Sequence, residues 1–539
     1  MELRRRILRF IKQNKLNIAT VLLTAVAEFI LYNFIKGKLL SNTTLHNLDI
    51  ELLSFFRRFL IVVFILIFLF NILSIIYKYI FIRDSLFQDI IHFNKGIIYL
   101  FWFFSNADKN KLKTAHFPKA NWKRAKGILF GYTKSGKLIC KPSKSEMNIA
   151  VYGTPGSSKT VSYVKPNARQ FNGSVLAIDI KGDIYEYNKN SRPIIRFAPD
   201  IHDAIHRSAH FNPLSGVSKL NSAELKLFVS NMAEILIPDD SEKEKYFSTN
   251  ARKLFCGMLL LLLETCPNLT FPEFLHAVLH YRRPTDWKLS KFPTTVFEWI
   301  ECISASPYPN AAEQVTAMIG NNEKNISGVF DRLNTALVPF SNDVLDVLLD
   351  GKENCISAEA LYSGYDIYLQ ISQGNLKTYA PLFTLIINEF MTNFAKRPDS
   401  AFANTNNRPI LCILDEFPQL TFPYNTINQF LSTLRSKSII IMLVCQTISQ
   451  LAYKYDTYGY QALLGNCTYQ VCCKSNDPTT LNYFKTIIGT KKTLKYSDLS
   501  IGETEEPVYK NEEYGTLNDD AIVYFDGSHI KVLKIKSYE

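Results

Sequence analysis

The sequence predicts an α/β protein with a doubly wound, largely parallel sheet, preceded by two membrane-spanning helices. From about residue 120 onward, short and almost continuously apolar runs alternate with stretches of helical pattern. Such runs are typical of parallel strands that are buried on both faces by helices. The predicted strands are residues 147–152, 174–179, 366–371, 410–414, 439–445 and 468–473. Two later runs, 521–525 and 530–535, predict a terminal hairpin with Asp526 and Gly527 at its turn.

The N-terminal region contains two apolar runs of bilayer-spanning length, residues 16–36 and 59–82. The segment before them, residues 1–15, is rich in Arg and Lys, which places it in the cytoplasm by the positive-inside rule. Residues 37–58 then form a short external loop, and residues 83–125 form a juxtamembrane segment. A cleaved signal peptide is disfavoured because no small-residue cleavage site follows the first run. We therefore expect a two-pass protein of the cell membrane whose larger part lies in the cytoplasm.

The charge and cysteine content limit the partners and the compartment. The 539 residues include 61 Lys and Arg against 49 Asp and Glu, a formal net charge of +12. This balance suits a polyanion or an anionic membrane surface. The 10 cysteines form no CxxC pair. They indicate free thiols in a reducing compartment, and they disfavour a disulfide framework or a zinc site.

A loop rich in glycine and serine follows the first predicted strand. It consists of Gly153, Thr154, Pro155, Gly156, Ser157, Ser158, Lys159 and Thr160. The loop matches the phosphate-binding pattern GxxxxGK[ST], except that Ser158 stands in place of the second glycine. We expect its backbone N–H groups and Lys159 to bind the phosphates of ATP, and Thr160 to bind Mg²⁺. The alternative is a Gly/Ser-rich turn without a ligand.

Two further strand ends carry polar residues that complete this pattern. The apolar run 410–414 is followed by Asp415 and Glu416, an arrangement typical of a Walker B strand. Asp415 would then hold Mg²⁺, and Glu416 would act as the general base that polarises the attacking water. Gln446 follows the run 439–445 and is a candidate sensor of the γ-phosphate. The alternative for the two acids is a solvated turn at a strand end.

The region from residue 413 to 489 resembles the coupling proteins of type IV secretion systems, the TraG/TraD-like conjugal transfer ATPases. The matching positions are Asp415, Glu416, Gln446, Gln450, Leu451, Gly465, Asn466, Asp477, Thr480 and Gly489. Upstream, residues 179–183 and 211–214 resemble the family elements D-P-K-G-E and Y-N-P-L. The chain departs from the family at Ser158 and around Arg435, where a G-R-x-x-G pattern retains its arginine but lacks its glycines.

The resemblance implies a RecA-like P-loop domain, in residues 126–249 and 326–539, interrupted by an all-α domain at residues 250–325. It also implies a homo-hexamer at the membrane with ATP bound between subunits, in which Arg435 is our candidate for an arginine that reaches the neighbouring site. The expected function is a membrane-anchored ATPase that recruits DNA, with an attached relaxase protein, and pumps it to a type IV secretion channel during conjugation. Two alternatives stay open: an ATP-binding receptor for secretion cargo with little hydrolysis, and a chromosome-type DNA translocase.

Two weaker patterns allow more than one interpretation. Four basic residues surround Trp287, namely Arg282, Arg283, Lys288 and Lys291. They suit contact with a nucleic-acid backbone and stacking on the aromatic ring, or simply a solvated loop between helices. His202, His206 and His210 have the spacing of metal ligands on a helix, but Pro199 and the sequence after His210 favour an irregular connection.

Overall fold

The computed structural model describes residues 121–538, except for 142, 144–145, 240–244, 321, 353, 401–406, 497–500 and 526. Leu112–Thr493 and Thr504–Glu539 form one compact unit. Residues 494–503 group with a second unit, whose other residues lie outside this description. The site described below belongs to the first unit.

Strands of two kinds build the sheet. The described strands are β1 Ile128–Tyr132, β2 Leu138–Lys141, β3 Ile149–Tyr152, β4 Ser174–Ile180, β5 Ile194–Phe197, β6 Asp366–Ile371, β7 Ile410–Leu414, β8 Ile439–Cys445, β9 Tyr469–Cys472, β10 Thr490–Tyr496, β11 Ile501–Pro507, β12 Asp520–Phe525 and β13 Ser528–Leu533. Within the described residues, 11 strands form one sheet in the order β2-β1-β13-β12-β9-β3-β8-β7-β4-β6-β5. From β9 to β5 the neighbours run parallel, whereas β12, β13, β1 and β2 extend the sheet antiparallel beyond β9. The six strands predicted for a parallel sheet all lie in its parallel centre, and the predicted terminal hairpin is confirmed as β12 and β13. The antiparallel extension of the sheet by this hairpin and by β1 and β2 was not predicted.

The helices follow the strands in chain order. They are α1 Lys165–Gln170, α2 Asp183–Asn188, α3 Ala204–Arg207, α4 Ser222–Leu236, α5 Lys245–Thr265, α6 Phe271–His280, α7 Val296–Ser304, α8 Pro309–Val315, α9 Glu323–Leu337, α10 Asp343–Leu348, α11 Ala358–Tyr362, α12 Leu376–Ala395, α13 Tyr424–Thr433, α14 Ile448–Gly465, α15 Pro478–Ile488 and α16 Asn511–Gly515. A π-helical turn, Thr160–Val164, runs directly into α1.

The central strands are buried on both faces because their apolar residues alternate between two cores. In β3, Ala150 and Tyr152 belong to one core, whereas Ile149 and Val151 belong to the other. The strands β4, β7 and β8 divide their side chains in the same way. Successive side chains of a strand point to opposite faces, so a continuous apolar run is the pattern that this burial requires. The burial explains why these strands were visible in the sequence.

A long helical segment lies between β5 and β6. It contains α3 to α11, and among its described residues the β-type pairing is a single bridge between His210 and Cys355. Its apolar side chains share one core with a face of the sheet, because Leu254 and Phe255 of α5 cluster with residues such as Ile178 of β4. The segment is thus anchored to the strands that carry the site. The limits of an all-α domain at residues 250–325 stay a prediction.

The predicted membrane spans, residues 16–36 and 59–82, lie outside the described residues. Among the helices that are described, none combines the length and the apolar character that crossing a bilayer requires.

Candidate functional site

A cavity opens at the carboxyl edge of the parallel strands, where β3, β4, β6, β7 and β8 all end. It is lined by Pro155, Gly156, Lys159, Thr160, Ile180, Lys181, Asp183, Gln373, Leu376, Asp415, Glu416, Gln419 and Gln446. Ligand sites of open α/β sheets characteristically occupy this edge, because the loops that leave the strands converge there. The topology therefore brings together residues that are almost 300 positions apart in the chain.

The glycine- and serine-rich loop forms one wall of the cavity. At its first position, a Cβ atom on Gly153 would lie 2.4 Å from Ser157 Oγ and 2.8 Å from Cys473 Cβ, so only glycine fits. Gly156 and Ser158 both have left-handed backbones, with φ of 77° and 66°. Glycine adopts this conformation freely, whereas a side chain at Ser158 makes it unfavourable. Ser158 therefore keeps the backbone shape that the missing glycine would provide.

Lys159 lies at the end of the loop and immediately precedes the π-helical turn Thr160–Val164. Its ammonium group folds back over the loop and donates hydrogen bonds to the carbonyl oxygens of Gly153 and Thr154. Backbone N–H groups at the beginning of a helix together with a lysine ammonium form a favourable environment for phosphate oxygens. Ser157, inside the loop, is buried, and its Oγ has no hydrogen-bond partner.

Asp415 and Glu416 form the opposite wall, directly after β7. Asp415 is 9% exposed, and burial, followed by the charge of Glu416, raises its pKa to about 7. Glu416 has a left-handed backbone with φ of 49°, and its Oε1 accepts a hydrogen bond of 3.0 Å from Gln446 Nε2. Its other oxygen, Oε2, is buried without a partner. The wall thus presents one carboxylate oriented by an amide and a second that is poorly solvated.

A third acid, Asp179, supports this wall from β4. It is fully buried and accepts hydrogen bonds from the backbone N–H groups of Ile184 and Tyr185, at 3.0 and 2.8 Å. Burial raises its pKa to about 6 despite these bonds. The bonds fix the start of α2, which brings Lys181 and Asp183 to the cavity. Residues 179–183 were noticed in the sequence only as a family element, without a role in the site.

Arg435 lies away from this cavity. It belongs to a short 3-10 turn, Leu434–Lys437, which precedes β8, whereas Gln446 follows the same strand. At ~3.3 Å per residue, the strand separates the two positions by roughly 20 Å. Ser438 ends the turn with φ of 61°, so it keeps the left-handed shape at the position of the second family glycine.

The structure brings together many, but not all, of the residues singled out from the sequence. Pro155, Gly156, Lys159, Thr160, Asp415, Glu416 and Gln446 line the cavity, whereas Gly153, Thr154, Ser157 and Ser158 shape its loop and Arg435 is remote. Sequence reasoning missed Gln373, which follows β6 at the same edge. The position of a polar residue just after a predicted parallel strand was the available signal. For Leu376 and Gln419 the sequence carried no comparable signal.

Burial decides the role of Trp287 among the weaker patterns, while nucleic-acid contact by the basic residues around it stays a prediction. Trp287 is 4% exposed and packs against Phe292 and Trp299 at 5.1 and 6.2 Å between ring centroids, so the interpretation as a base-stacking residue is wrong. His202 precedes the short helix α3, and no group of three metal-binding side chains occurs in the described part of the chain. All 10 cysteines lie among the described residues and have free thiols.

Comparison with known proteins places the chain in context. Residues 106–516 match the family model for type IV secretory system conjugative DNA transfer. Protein VirD4 of Agrobacterium fabrum is 22% identical over 445 residues, which cover 77% of this chain and 63% of that protein. VirD4 of Rhizobium rhizogenes is 23% identical over 451 residues, 77% of this chain and 62% of that protein. The matched region thus spans less than two thirds of these relatives.

Solved structures share the fold. The unbound bacterial conjugative coupling protein TrwB superposes with a TM-score of 0.57 at 15% identity, covering 79% of this chain and 95% of that one. TrwB in complex with ADP and Mg²⁺ has the same TM-score and identity, with 80% and 92% coverage. At this level of identity, the likeness supports a common fold and says nothing of individual side chains.

Proposed function

We propose, because the chain belongs to the family of type IV secretory system proteins for conjugative DNA transfer, that it is an ATPase that delivers DNA to a secretion channel. The observation that carries this proposal is the cavity between the Lys159 loop and the Asp415–Glu416 pair. It combines a cationic, N–H-rich wall with a carboxylate wall, which is the arrangement that nucleoside triphosphate hydrolysis needs. The relatives named above support ATP as the nucleotide, because TrwB has been solved with ADP and Mg²⁺ and with an ATP analogue.

The residues of the cavity fit ATP and Mg²⁺. Lys159 bonds to carbonyls of its own loop, and phosphate oxygens would replace these acceptors. Asp415 would hold Mg²⁺ together with Thr160, since oxygen ligands are those that Mg²⁺ prefers. When bound, the ion would neutralise charge on the phosphate oxygens. The partnerless Oε2 of Glu416 and Oγ of Ser157 are further polar atoms that a bound nucleotide or its water would satisfy.

Glu416 and Gln446 would direct the chemistry. The hydrogen bond from Gln446 Nε2 fixes one oxygen of Glu416, which leaves Oε2 to accept a proton from the attacking water. A base that is oriented in this way needs no movement in the transition state, and general-base catalysis contributes ~10²–10⁴-fold to a rate. Gln446 would also contact the γ-phosphate and so report its loss to α14, which begins two residues later.

A second subunit would complete the site. Arg435 and the cavity lie at opposite ends of β8, so Arg435 cannot reach the Lys159 loop of its own chain without a large rearrangement. A head-to-tail neighbour could present it to the γ-phosphate, where an arginine stabilises transition-state charge. Head-to-tail interfaces form a ring when the rotation between subunits closes, and we propose a homo-hexamer of this kind, anchored in the cell membrane by residues 16–36 and 59–82. Its cargo would be DNA with an attached relaxase protein. The net charge of +12 favours binding to the DNA phosphates.

DNA-stimulated hydrolysis tests the proposal. We expect the full-length protein in detergent to hydrolyse ATP slowly, and DNA to raise the rate at low salt by promoting assembly. Raising the salt concentration should abolish the stimulation, because counterions compete for the basic residues. The Glu416→Gln variant is the control for contaminating ATPases. ATP binding without measurable hydrolysis at any DNA concentration would instead support the alternative, an ATP-binding receptor for cargo.

Topology can be tested separately. A reporter that is active only in the cytoplasm should be active when it is fused after Glu539 and silent when it is inserted near Thr43. The opposite result would contradict the two-span arrangement and place the ATPase where ATP is absent.

A further inference from the structure

The far end of the phosphate-binding loop is held by a residue from the last part of the chain. Lys534 directly follows β13, is 6% exposed, and donates a hydrogen bond of 3.1 Å to the carbonyl oxygen of Ser157. Its two other bonds go to the carbonyls of Leu517 and Asn518, at 2.9 and 2.8 Å. All three protons of the ammonium group therefore have backbone acceptors. Burial of a lysine ammonium group is unfavourable unless hydrogen bonds satisfy its charge, so the loss of any of these three bonds should cost free energy.

The bond from Lys534 falls on the peptide group that determines the shape of Ser158. The carbonyl of Ser157 lies in the peptide plane between residues 157 and 158, and the orientation of this plane sets φ at Ser158. Rotation of the plane by about half a turn would return Ser158 to a negative φ, which a residue with a Cβ atom prefers. That rotation would also turn the N–H group of Ser158 to the other side of the loop backbone. Lys534 opposes it, because the Ser157 carbonyl would lose its charged donor.

The start of the loop has a different support. Thr154 donates from its backbone N–H group and from its hydroxyl to the carbonyl of Lys474, at 2.9 and 3.2 Å. Gly153 is fixed by its close approach to Cys473. These contacts leave the peptide between Ser157 and Ser158 to be oriented by Lys534.

We propose that Lys534 is a positioning residue for nucleotide binding, which holds Ser158 in the left-handed conformation that a glycine would adopt without help. The proposal rests on the proposed function, since it assumes that the loop binds phosphate. It explains how this chain can have serine at a glycine position of the loop and still keep the loop shape. It also predicts that the need for Lys534 depends on the identity of residue 158.

A double-mutant cycle tests this dependence. The variants are Lys534→Met, Ser158→Gly and their combination in the full-length protein, and the measurement is the affinity for a fluorescent ATP analogue with Mg²⁺. We expect Lys534→Met to weaken binding about tenfold when Ser158 is present, equivalent to ~1.4 kcal/mol. In the Ser158→Gly background we expect a loss of about twofold at most, because glycine populates positive φ readily.

Two control variants separate this effect from general damage. Lys531→Met removes a neighbouring lysine of β13 that forms an ion pair of 3.1 Å with Asp520, and it should leave the affinity unchanged. Ser438→Gly relieves the same left-handed strain far from the loop. In that background, Lys534→Met should therefore lower the affinity for the ATP analogue about tenfold, as it does in the natural background. Melting temperatures of all variants would show whether an affinity change follows stability, as a merely structural role would require.

The outcomes are distinct. If Lys534→Met lowers the affinity equally with serine and with glycine at position 158, or lowers it in neither case, the role of Lys534 is overturned. The ATPase proposal stays intact in both cases. No binding by the unmodified protein would overturn both. A Lys534→Met protein that folds only in the Ser158→Gly background would support the proposal. If it folds in neither background, Lys534→Gln replaces it in the same cycle and the same comparison decides.

Discussion

The two walls of the cavity are supported in different ways. The wall formed by the glycine- and serine-rich loop is held by hydrogen bonds that Lys159 and Lys534 donate to backbone carbonyls. The acidic wall is held by side chains: Gln446 bonds to Glu416, and Asp415 is almost completely buried. Backbone carbonyl groups carry no titratable charge, and main-chain geometry tolerates side-chain changes that keep its shape, as Ser158 illustrates. A wall of carboxyl groups instead depends on the charge of each member. Under the proposed function, substitutions should therefore separate binding, which the first wall would supply, from turnover, which the second would supply.

The largest effect is expected from Glu416→Gln, which should lower the hydrolysis rate ~10²–10⁴-fold because an amide cannot accept the proton of water. Binding of ATP should stay within about threefold of the unmodified protein, since the amide keeps the size and the bond to Gln446. Single-turnover kinetics and an equilibrium titration measure the two quantities. Equal hydrolysis rates would remove Glu416 from the mechanism, and a parallel loss of binding would remove the contrast between the walls.

Lys159→Ala should have the opposite signature. We expect ATP affinity to fall ~100-fold, because the phosphates lose the point charge of the ammonium group. Lys189→Ala is the matched control, since Lys189 directly follows α2 and forms a surface ion pair of 2.5 Å with Glu186. Affinity is measured by isothermal titration with a non-hydrolysable analogue. Unchanged affinity would show that the loop does not bind the nucleotide.

Arg435→Ala should abolish stimulated hydrolysis without weakening ATP binding, and mixing should restore part of it. In an equal mixture with Lys159→Ala protein, about a quarter of randomly formed head-to-tail interfaces pair an intact loop with an intact arginine. Steady-state ATPase assays of the mixture against each variant alone measure the recovery. Full activity of Arg435→Ala by itself, or no recovery, would exclude a role across the interface.

The smallest effect concerns pH and stability. The pKa of Asp415 is about 7 in the folded protein against an ordinary value of 3.8, so the folded state binds the proton more tightly than the unfolded one. Stability is therefore lost as the pH rises from 3.8 to about 7. In the absence of Mg²⁺, Asp415→Asn should raise the melting temperature by roughly 2 °C at pH 8 and by less at pH 5.

Asp399 provides a control of opposite sign. Hydrogen bonds from Ser436 and then Lys437 lower the pKa of Asp399. Its negative charge therefore stabilises the fold at pH values above the ordinary carboxyl pKa of 3.8. Asp399→Asn should therefore lower the melting temperature at pH 8 and have little effect at low pH. A stabilisation by Asp415→Asn that is the same at both pH values would contradict the proposed origin in burial.

The strands that could be predicted from the sequence are those buried on both faces of the sheet. The predicted runs 366–371, 410–414 and 439–445 coincide with β6, β7 and β8, because strands buried on both faces leave an unbroken apolar pattern. The short strand β5 was missed, since three of its four residues are only partly buried. β1 and β2 were missed as well, although they and β13 extend the sheet beyond β12. The hairpin of β12 and β13 was predicted from its turn, whereas no local pattern revealed that β1 and β2 join the sheet beside it.

The site divides in the same way. The loop and the acids after β7 are contiguous motifs, so their chemistry could be predicted from residue type and position. The bond between Lys534 and Ser157 joins residues 377 positions apart, and neither has a pattern that points to the other. The left-handed backbones of Ser158 and Ser438 could not be predicted either, because serine, unlike glycine, does not indicate a positive φ. The roles assigned to individual site residues stay predictions until the variants are measured.

The position of Arg435 at the far end of β8 has a consequence for how activity depends on the number of subunits. A row of subunits in which each completes the site of the next always has one unfinished site at its end, whereas a closed ring has none. Under the proposed role of Arg435, closing the ring therefore activates the last site without any change inside a subunit. By the same logic, one subunit that lacks both Lys159 and Arg435 silences two sites, its own and that of its neighbour.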